Sequence, residues 1–261
     1  MRSGRMAART AVALVAMLAA AAPRARAETI ETVTIRGHQQ RLHVFGTRGA
    51  GDPVLLSSGD GGWMHLAPRV ADRLAAKGYF VVGFDAKAYL QEFTSGSTTL
   101  RAEEVPGDYR VLIEYAARGS SKKAMLMGVS EGAALSVLAA ADPSTKASIA
   151  GVVSLGLGDR NELGWRWKDS IIYLTHGVPN EPTFSVASLV GKLAPLPLAE
   201  IHSSRDEFAP VAEAQMIVER ANPPKRLWVV EASDHRFSGN FAGLERQLFE
   251  AIDWINQNRP R

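Results

Sequence analysis

The chain has 261 residues, 46% of them hydrophobic and none of them cysteine. That content is enough for a sizeable core, while the missing thiols exclude disulfides, cysteine metal sites, a thiol nucleophile and a lipoprotein anchor. The charge balance of 30 Lys+Arg against 27 Asp+Glu is misleading: five arginines fall within the first 27 residues, leaving 25 basic against 27 acidic groups beyond them, so net charge gives no support to a nucleic-acid partner.

Those first residues read as an address. Arg2, Arg5 and Arg9 form a basic start, Ala11 to Ala22 is uncharged and apolar, and Ala25-Arg26-Ala27 supplies a small-x-small cleavage pattern. The apolar run suits a secretory signal peptide and falls short of the roughly 20 residues of a spanning helix. Residues 1–27 are therefore expected to be a signal peptide, and residues 28–261 a single periplasmic or secreted domain.

From Glu28 the pattern changes. TVTIR and RLHVF alternate apolar and polar residues around Gly37-His38-Gln39-Gln40, which predicts an antiparallel hairpin. Short continuous apolar runs follow: PVLLSS, YFVVGFD, KAMLMGV, IAGVVSLG, PLAEIHSS and RLWVVEAS. Such runs suit strands buried on both faces of a parallel sheet. Between them lie helical stretches such as HLAPRVADRLAAKG, with Leu66, Val70 and Leu74 at four-residue spacing and Gly78 as its C-cap. Parallel neighbours need crossover helices, so the alternation predicts a mostly parallel α/β sheet flanked by helices. Two intervals break the rhythm. Leu90 to Gly107 is expected as a loop leading into a helix around Tyr109 to Ala117, and Gly158 to Phe184 as an insertion carrying Trp165 and Trp167.

Chemistry concentrates at strand ends. Gly128-x-Ser130-x-Gly132 stands between the apolar AMLMGV and the helix-favouring AALSVLAAA, the context of a nucleophile elbow. There a serine projects beside a helix N-terminus whose amides can meet an oxyanion. A serine hydroxyl needs a base, and the base an orienting acid. Asp206, in an Asp-x-x-x-Pro loop after PLAEIHSS, and His235, after RLWVVEAS, follow in the order Ser, Asp, His that this layout requires. Glu207 is a neighbouring alternative acid. For the oxyanion hole, the amide of Glu131 is joined by candidates in SSGDGGW, namely Gly61, Gly62 and Trp63. The same glycines could form a phosphate loop, but no Gly-Lys-Ser/Thr or Gly-x-Gly-x-x-Gly pattern accompanies them. Asp60, Glu131, Tyr89 and Trp165 are the substrate-binding candidates, with Asp159 and Glu162 as further carboxylates near the acyl pocket. His38, His43, His65, His176 and His202 show no ligand spacing on a helix face, so neither a metal nor another cofactor is expected.

SGDGGW, the following LAAKGYFVVGFDAKAYL, then GVSEGA and the Asp and His loops resemble the bacterial virulence-protein group of α/β hydrolases, the VirJ and AcvB type. The resemblance spans about Val54 to Trp254. It implies a periplasmic α/β hydrolase acting on aminoacylated phosphatidylglycerol, notably the lysyl form, with Ser130 as nucleophile, Asp206 as acid and His235 as base. Glu131 departs from that group's usual aromatic residue after the serine, and residues 158–196 match poorly. The leading expectation is thus an exported serine hydrolase cleaving a small-molecule or lipid ester, with peripheral membrane contact. The alternatives are an accessory protein for virulence or secretion on a hydrolase scaffold, or an esterase for a soluble ester.

Overall fold

The computed structural model describes residues 28–168 and 181–260. The signal peptide expected at 1–27 lies outside them, as does His176. The described residues form ten strands: β1 (Thr29–Ile35), β2 (His38–Phe45), β3 (Pro53–Ser57), β4 (Phe80–Phe84), β5 (Ala124–Val129), β6 (Ile149–Leu155), β7 (Arg160–Glu162), β8 (Thr183–Ser185), β9 (Leu198–Ser203) and β10 (Lys225–Val230). Eight form one sheet in the order β1-β2-β4-β3-β5-β6-β9-β10, antiparallel across β1, β2 and β4 and parallel from β4 onward. The helices are α1 (Leu66–Ala76), α2 (Ala86–Glu92), α3 (Val105–Ala117), α4 (Glu131–Ala141), the one-turn α5 (Pro143–Lys146), α6 (Val211–Arg220) and α7 (Phe241–Asn258).

Successive side chains of a strand face opposite sides, so the sheet has two cores. Leu55, Leu126 and Val152 meet α3 and α4 on one face, while Val54, Leu56, Met125 and Met127 meet α1 and α7 on the other. Helix α4 is buried along its whole length, which explains its run of Ala, Leu and Val in place of an amphipathic stripe.

The expected architecture is present with four adjustments. The hairpin turn is tighter than the spacing suggests: Arg36 and Gly37 both take positive φ, 47° and 86°, the two-residue geometry that matches strand twist, and His38 to Gln40 already belong to β2. Strand β10 is an edge strand and not buried on both faces, with Val229 47% exposed. Residues 86–92 are helical, with the Asp85 side chain capping Ala88, and α3 starts at Val105, because Pro106 suits a helix's first turn. Finally, the described part of the insertion contains the two-stranded pair β7-β8. No helix among the described residues is long and apolar enough to cross a membrane.

Candidate active site

The parallel strands β3, β5, β6, β9 and β10 all end on one side, and a cavity of about 800 Å³ opens there. Ser130, immediately after β5, has φ 51° and ψ −118°, a backbone region that non-glycine residues occupy only under constraint. Its neighbours supply that constraint. A Cβ on Gly128 would lie 2.3 Å from the carbonyl oxygen of Gly132, and one on Gly132 would lie 2.2 Å from that of Ser58. Both glycines therefore permit α4 and β3 to close on the turn. The Ser130 amide is spent on the carbonyl of Leu155 (2.9 Å), leaving its side chain to line the cavity.

His235 reaches the same cavity from the loop after β10. Its Nδ1 lies 2.5 Å from Asp206 Oδ2, which leaves Nε2 as the nitrogen with a lone pair to offer. The ring sits against Gly156, where an added Cβ would be 2.7 Å from His235 Cε1, and Phe208 meets it edge-on at 5.4 Å. Asp206 is buried, and its Oδ1 accepts from the amides of Phe208 and Ala209, each at 2.9 Å. Burial opposes its ionisation, but His235 and the two amides hold the carboxyl below its ordinary range. Glu207 does different work: its Oε2 accepts from the backbone amide of His235 at 2.8 Å.

The second wall is the loop between β3 and α1. Gly59 approaches Ser130 so closely that a Cβ there would stand 3.3 Å from Ser130 Cβ. Not every amide expected to face an oxyanion is available. Gly62 donates to the Gly59 carbonyl (2.9 Å), and Trp63 donates to Asp85 Oδ2 (3.1 Å). The amides of Asp60, Gly61 and Glu131 have no acceptor among the described residues. The donor set thus narrows to Glu131 with Asp60 or Gly61. Gly62 and Trp63 act one step back, holding the loop in shape. The Trp63 ring stacks on His43 at 4.6 Å and crosses β4 over Gly83, where a Cβ would be 2.1 Å from the indole.

The substrate candidates divide. Asp60, Glu131, Asp159 and Glu162 line the cavity. Tyr89 and Trp165 do not: Tyr89 is wholly buried with its hydroxyl 2.6 Å from Asp108, and Trp165 is buried with Lys87 Nζ 4.2 Å over its ring. Their aromatic character serves packing. The exposed Met64 and Phe208, together with His65, Arg160 and Arg236, line the cavity without having been expected to. Glu131 is 8% exposed, and its Oε1 has no hydrogen-bond partner among the described residues. Burial, with Asp60 and Glu162 adding repulsion, pushes its carboxyl well above the ordinary range.

His202, which has no ligand spacing on a helix face, pairs instead with Glu200 along a strand. Both are fully buried on β9, with Glu200 Oε1 2.8 Å from His202 Nδ1. A two-residue spacing places side chains on one face of a strand, so Glu-x-His inside an apolar run was the available signal; scanning helix faces alone passes over it. Among the described residues no group of three or more His, Asp or Glu is placed to hold a metal ion.

Solved structures share this architecture at low sequence identity. The α/β hydrolase GrgF from Penicillium sp. sh18 aligns with a TM-score of 0.67 at 14% identity, covering 89% of this chain and 99% of that one. Est1E from Butyrivibrio proteoclasticus gives 0.65 at 13% identity, covering 87% and 98%. A membrane phospholipase A described as a novel bacterial virulence factor gives 0.62 at 13% identity, covering 87% and 86%. These likenesses establish an α/β-hydrolase fold. No curated protein matches by sequence. The family model for the bacterial virulence protein VirJ matches residues 52–255, which hold the elbow, both wall loops and the Asp and His loops, and the chain belongs to that family.

Proposed function

We propose that this protein is an exported serine hydrolase that cleaves an ester through an acyl-enzyme. The observation that carries the reading is the convergence on one cavity of a serine in strained backbone geometry and a histidine held through Nδ1 by a buried, ionised aspartate. Ser130 attacks the carbonyl as His235 takes its proton; the amide of Glu131 and one from Asp60 or Gly61 receive the oxyanion; His235 returns the proton to the leaving alcohol. Water then repeats the sequence on the acyl-enzyme.

Charge around the cavity favours an aminoacyl, and specifically lysyl, ester of phosphatidylglycerol. Asp60, Glu131 and Glu162 surround the space beside the nucleophile, while Arg160 and Arg236 also line the cavity. Carboxylates beside the acyl site suit an ammonium group, and the two guanidinium groups suit a phosphodiester. Glu131, buried and driven toward its neutral form, is poised to ionise when an ammonium arrives. The exposed Met64 and Phe208 give that cavity an apolar rim for a lipid surface. Family membership and the signal-like leader support a periplasmic address.

The test is hydrolysis by the purified protein of lysyl- and alanyl-phosphatidylglycerol, unmodified phosphatidylglycerol and simple p-nitrophenyl esters. Turnover of the aminoacyl lipids with lysyl preferred, abolished in Ser130→Ala and with the preference reduced in Glu131→Gln, is the expected result. Turnover confined to simple esters would keep the mechanism and discard the substrate. No turnover and no fluorophosphonate labelling of Ser130 would leave a hydrolase scaffold serving another role.

A further inference from the structure

Behind the Asp-His pair lies a second one that the reaction sequence above does not use. Glu200 and His202 occupy the face of β9 that turns to α6, in otherwise apolar surroundings, and neither exposes any surface. His202 Nδ1 is 2.8 Å from Glu200 Oε1, an oxygen that also accepts from the amide of Leu157 at 3.0 Å. On the other side of the ring, His202 Nε2 is 2.7 Å from the carbonyl oxygen of Ala209 and 3.5 Å from Asp206 Oδ2. A carbonyl oxygen only accepts, so Nε2 carries a proton. Glu200 as a carboxylate can only accept, and Oε1 already accepts from Leu157, so opposite an ionised Glu200 Nδ1 carries a proton too.

We infer that His202 is a positioning residue protonated at neutral pH, a buried imidazolium that ties Glu200 to the acid loop and sets how strongly Asp206 holds a proton on His235. The charges then alternate inward from the cavity: His235, Asp206 negative, His202 positive, Glu200 negative. His202 has two consequences. It fixes the loop from Asp206 to Ala209 onto the sheet through the Ala209 hydrogen bond, with Asp206 held by charge. It also offsets part of the field of Asp206, so that His235 returns its proton to the leaving group and is not trapped as an imidazolium. The charged groups facing His202 are Glu200 and Asp206, with His235 beyond Asp206. Burial works against a charge at His202, yet Glu200, the Ala209 carbonyl and Asp206 outweigh it and lift the group to about 9.

The inference rests on the proposed roles of Asp206 and His235, and its test separates the two. Nitrogen-detected NMR of the histidine rings reads protonation without turnover, in wild type and in Ser130→Ala alike. Both nitrogens of His202 should carry protons at pH 7.5, with loss of the proton only near pH 9; a neutral ring at pH 7.5 overturns the inference whatever the enzyme's activity. The second measurement is the pH–rate profile. Removing the cation in His202→Gln, or the whole pair in Glu200→Gln/His202→Gln, strengthens the hold of Asp206 on the His235 proton. The acid limb should therefore move to higher pH by about one unit. A lower rate with an unmoved acid limb in the double variant would make the pair a packing element and overturn the inference. If neither variant folds, the wild-type ring spectrum still decides.

Discussion

Two strand–turn–helix units stand side by side at the cavity, on neighbouring strands, and they reach nearly the same backbone strain by different means. Ser130, between β5 and α4, has φ 51° and ψ −118°; His65, between β3 and α1, has φ 56° and ψ −103°. At the elbow the strain is imposed by closeness: Gly128 and Gly132 let backbones meet with no room for one more carbon, and α4 is buried throughout. At the oxyanion loop it is imposed by tethers. Asp85 holds the Trp63 amide, the indole lies across Gly83 and His43, and His65 itself is exposed. The first unit is held by close backbone packing and the second by side-chain tethers. Close placement of the elbow serine is signalled by the spacing of two glycines, whereas placing the loop's backbone amides takes side chains from the surrounding sheet.

Breaking the chemistry itself should give the largest effect. Ser130→Ala should lower kcat/KM by on the order of 10⁴-fold or more, with Asp206→Asn close behind and Glu207→Gln mild. Steady-state hydrolysis of an aminoacyl lipid or an activated ester measures it; equal losses for Asp206→Asn and Glu207→Gln would undo the assignment of the acid.

Closeness and tethering should then fail in different currencies. Gly132→Ala places a carbon against the Ser58 backbone, which has nowhere to go, so stability should fall by about 3 kcal/mol in chemical denaturation. Asp85→Ala frees the Trp63 amide and should lower kcat by up to about 10²-fold, the scale of a misplaced oxyanion donor, with a smaller effect on unfolding. A result in which Asp85→Ala destabilised the fold as much as Gly132→Ala would erase the distinction. Gly83→Ala is intermediate. The indole it displaces can swing away, so activity should suffer more than the roughly 1–3 kcal/mol cost of overpacking suggests.

The smallest effect sharpens the comparison at Glu131, which belongs to the elbow by position and to the cavity by burial. Its folded carboxyl titrates above the ordinary 4.5 because burial, Asp60 and Glu162 disfavour the charge. Native stability is therefore lost as pH rises from the ordinary value through the raised one. Glu131→Gln, which cannot ionise, should melt higher than wild type at pH 8, with the gap closing as pH falls toward 4.5. A gap that widened on acidification would contradict this assignment of its environment.

The same contrast explains what could be read from the sequence. Gly128, Ser130 and Gly132 announce the elbow because side-chain absence is itself a letter in the sequence. The ordered strand ends that bring Asp206 and His235 to one edge are equally legible from apolar runs. Oxyanion donors are backbone amides, identical in every residue, so SSGDGGW locates the loop without revealing that Gly62 and Trp63 spend their amides within it. Tyr89 and Trp165 were legible as aromatic, but whether an aromatic faces a cavity or a core depends on the helices around it. The Glu200–His202 pair carried a readable strand spacing and needed only the right period.

The stacking of Trp63 on His43, with Glu28 bonded to that same histidine, has a consequence for how the protein comes into being. The hairpin that opens the described structure also buttresses the wall of the site. A chain still extended through its first strands has its elbow encoded but the facing loop wall unbuilt. The proposed ester turnover is then expected of the finished molecule alone, and the rate at which it appears during refolding should report when this hairpin has docked.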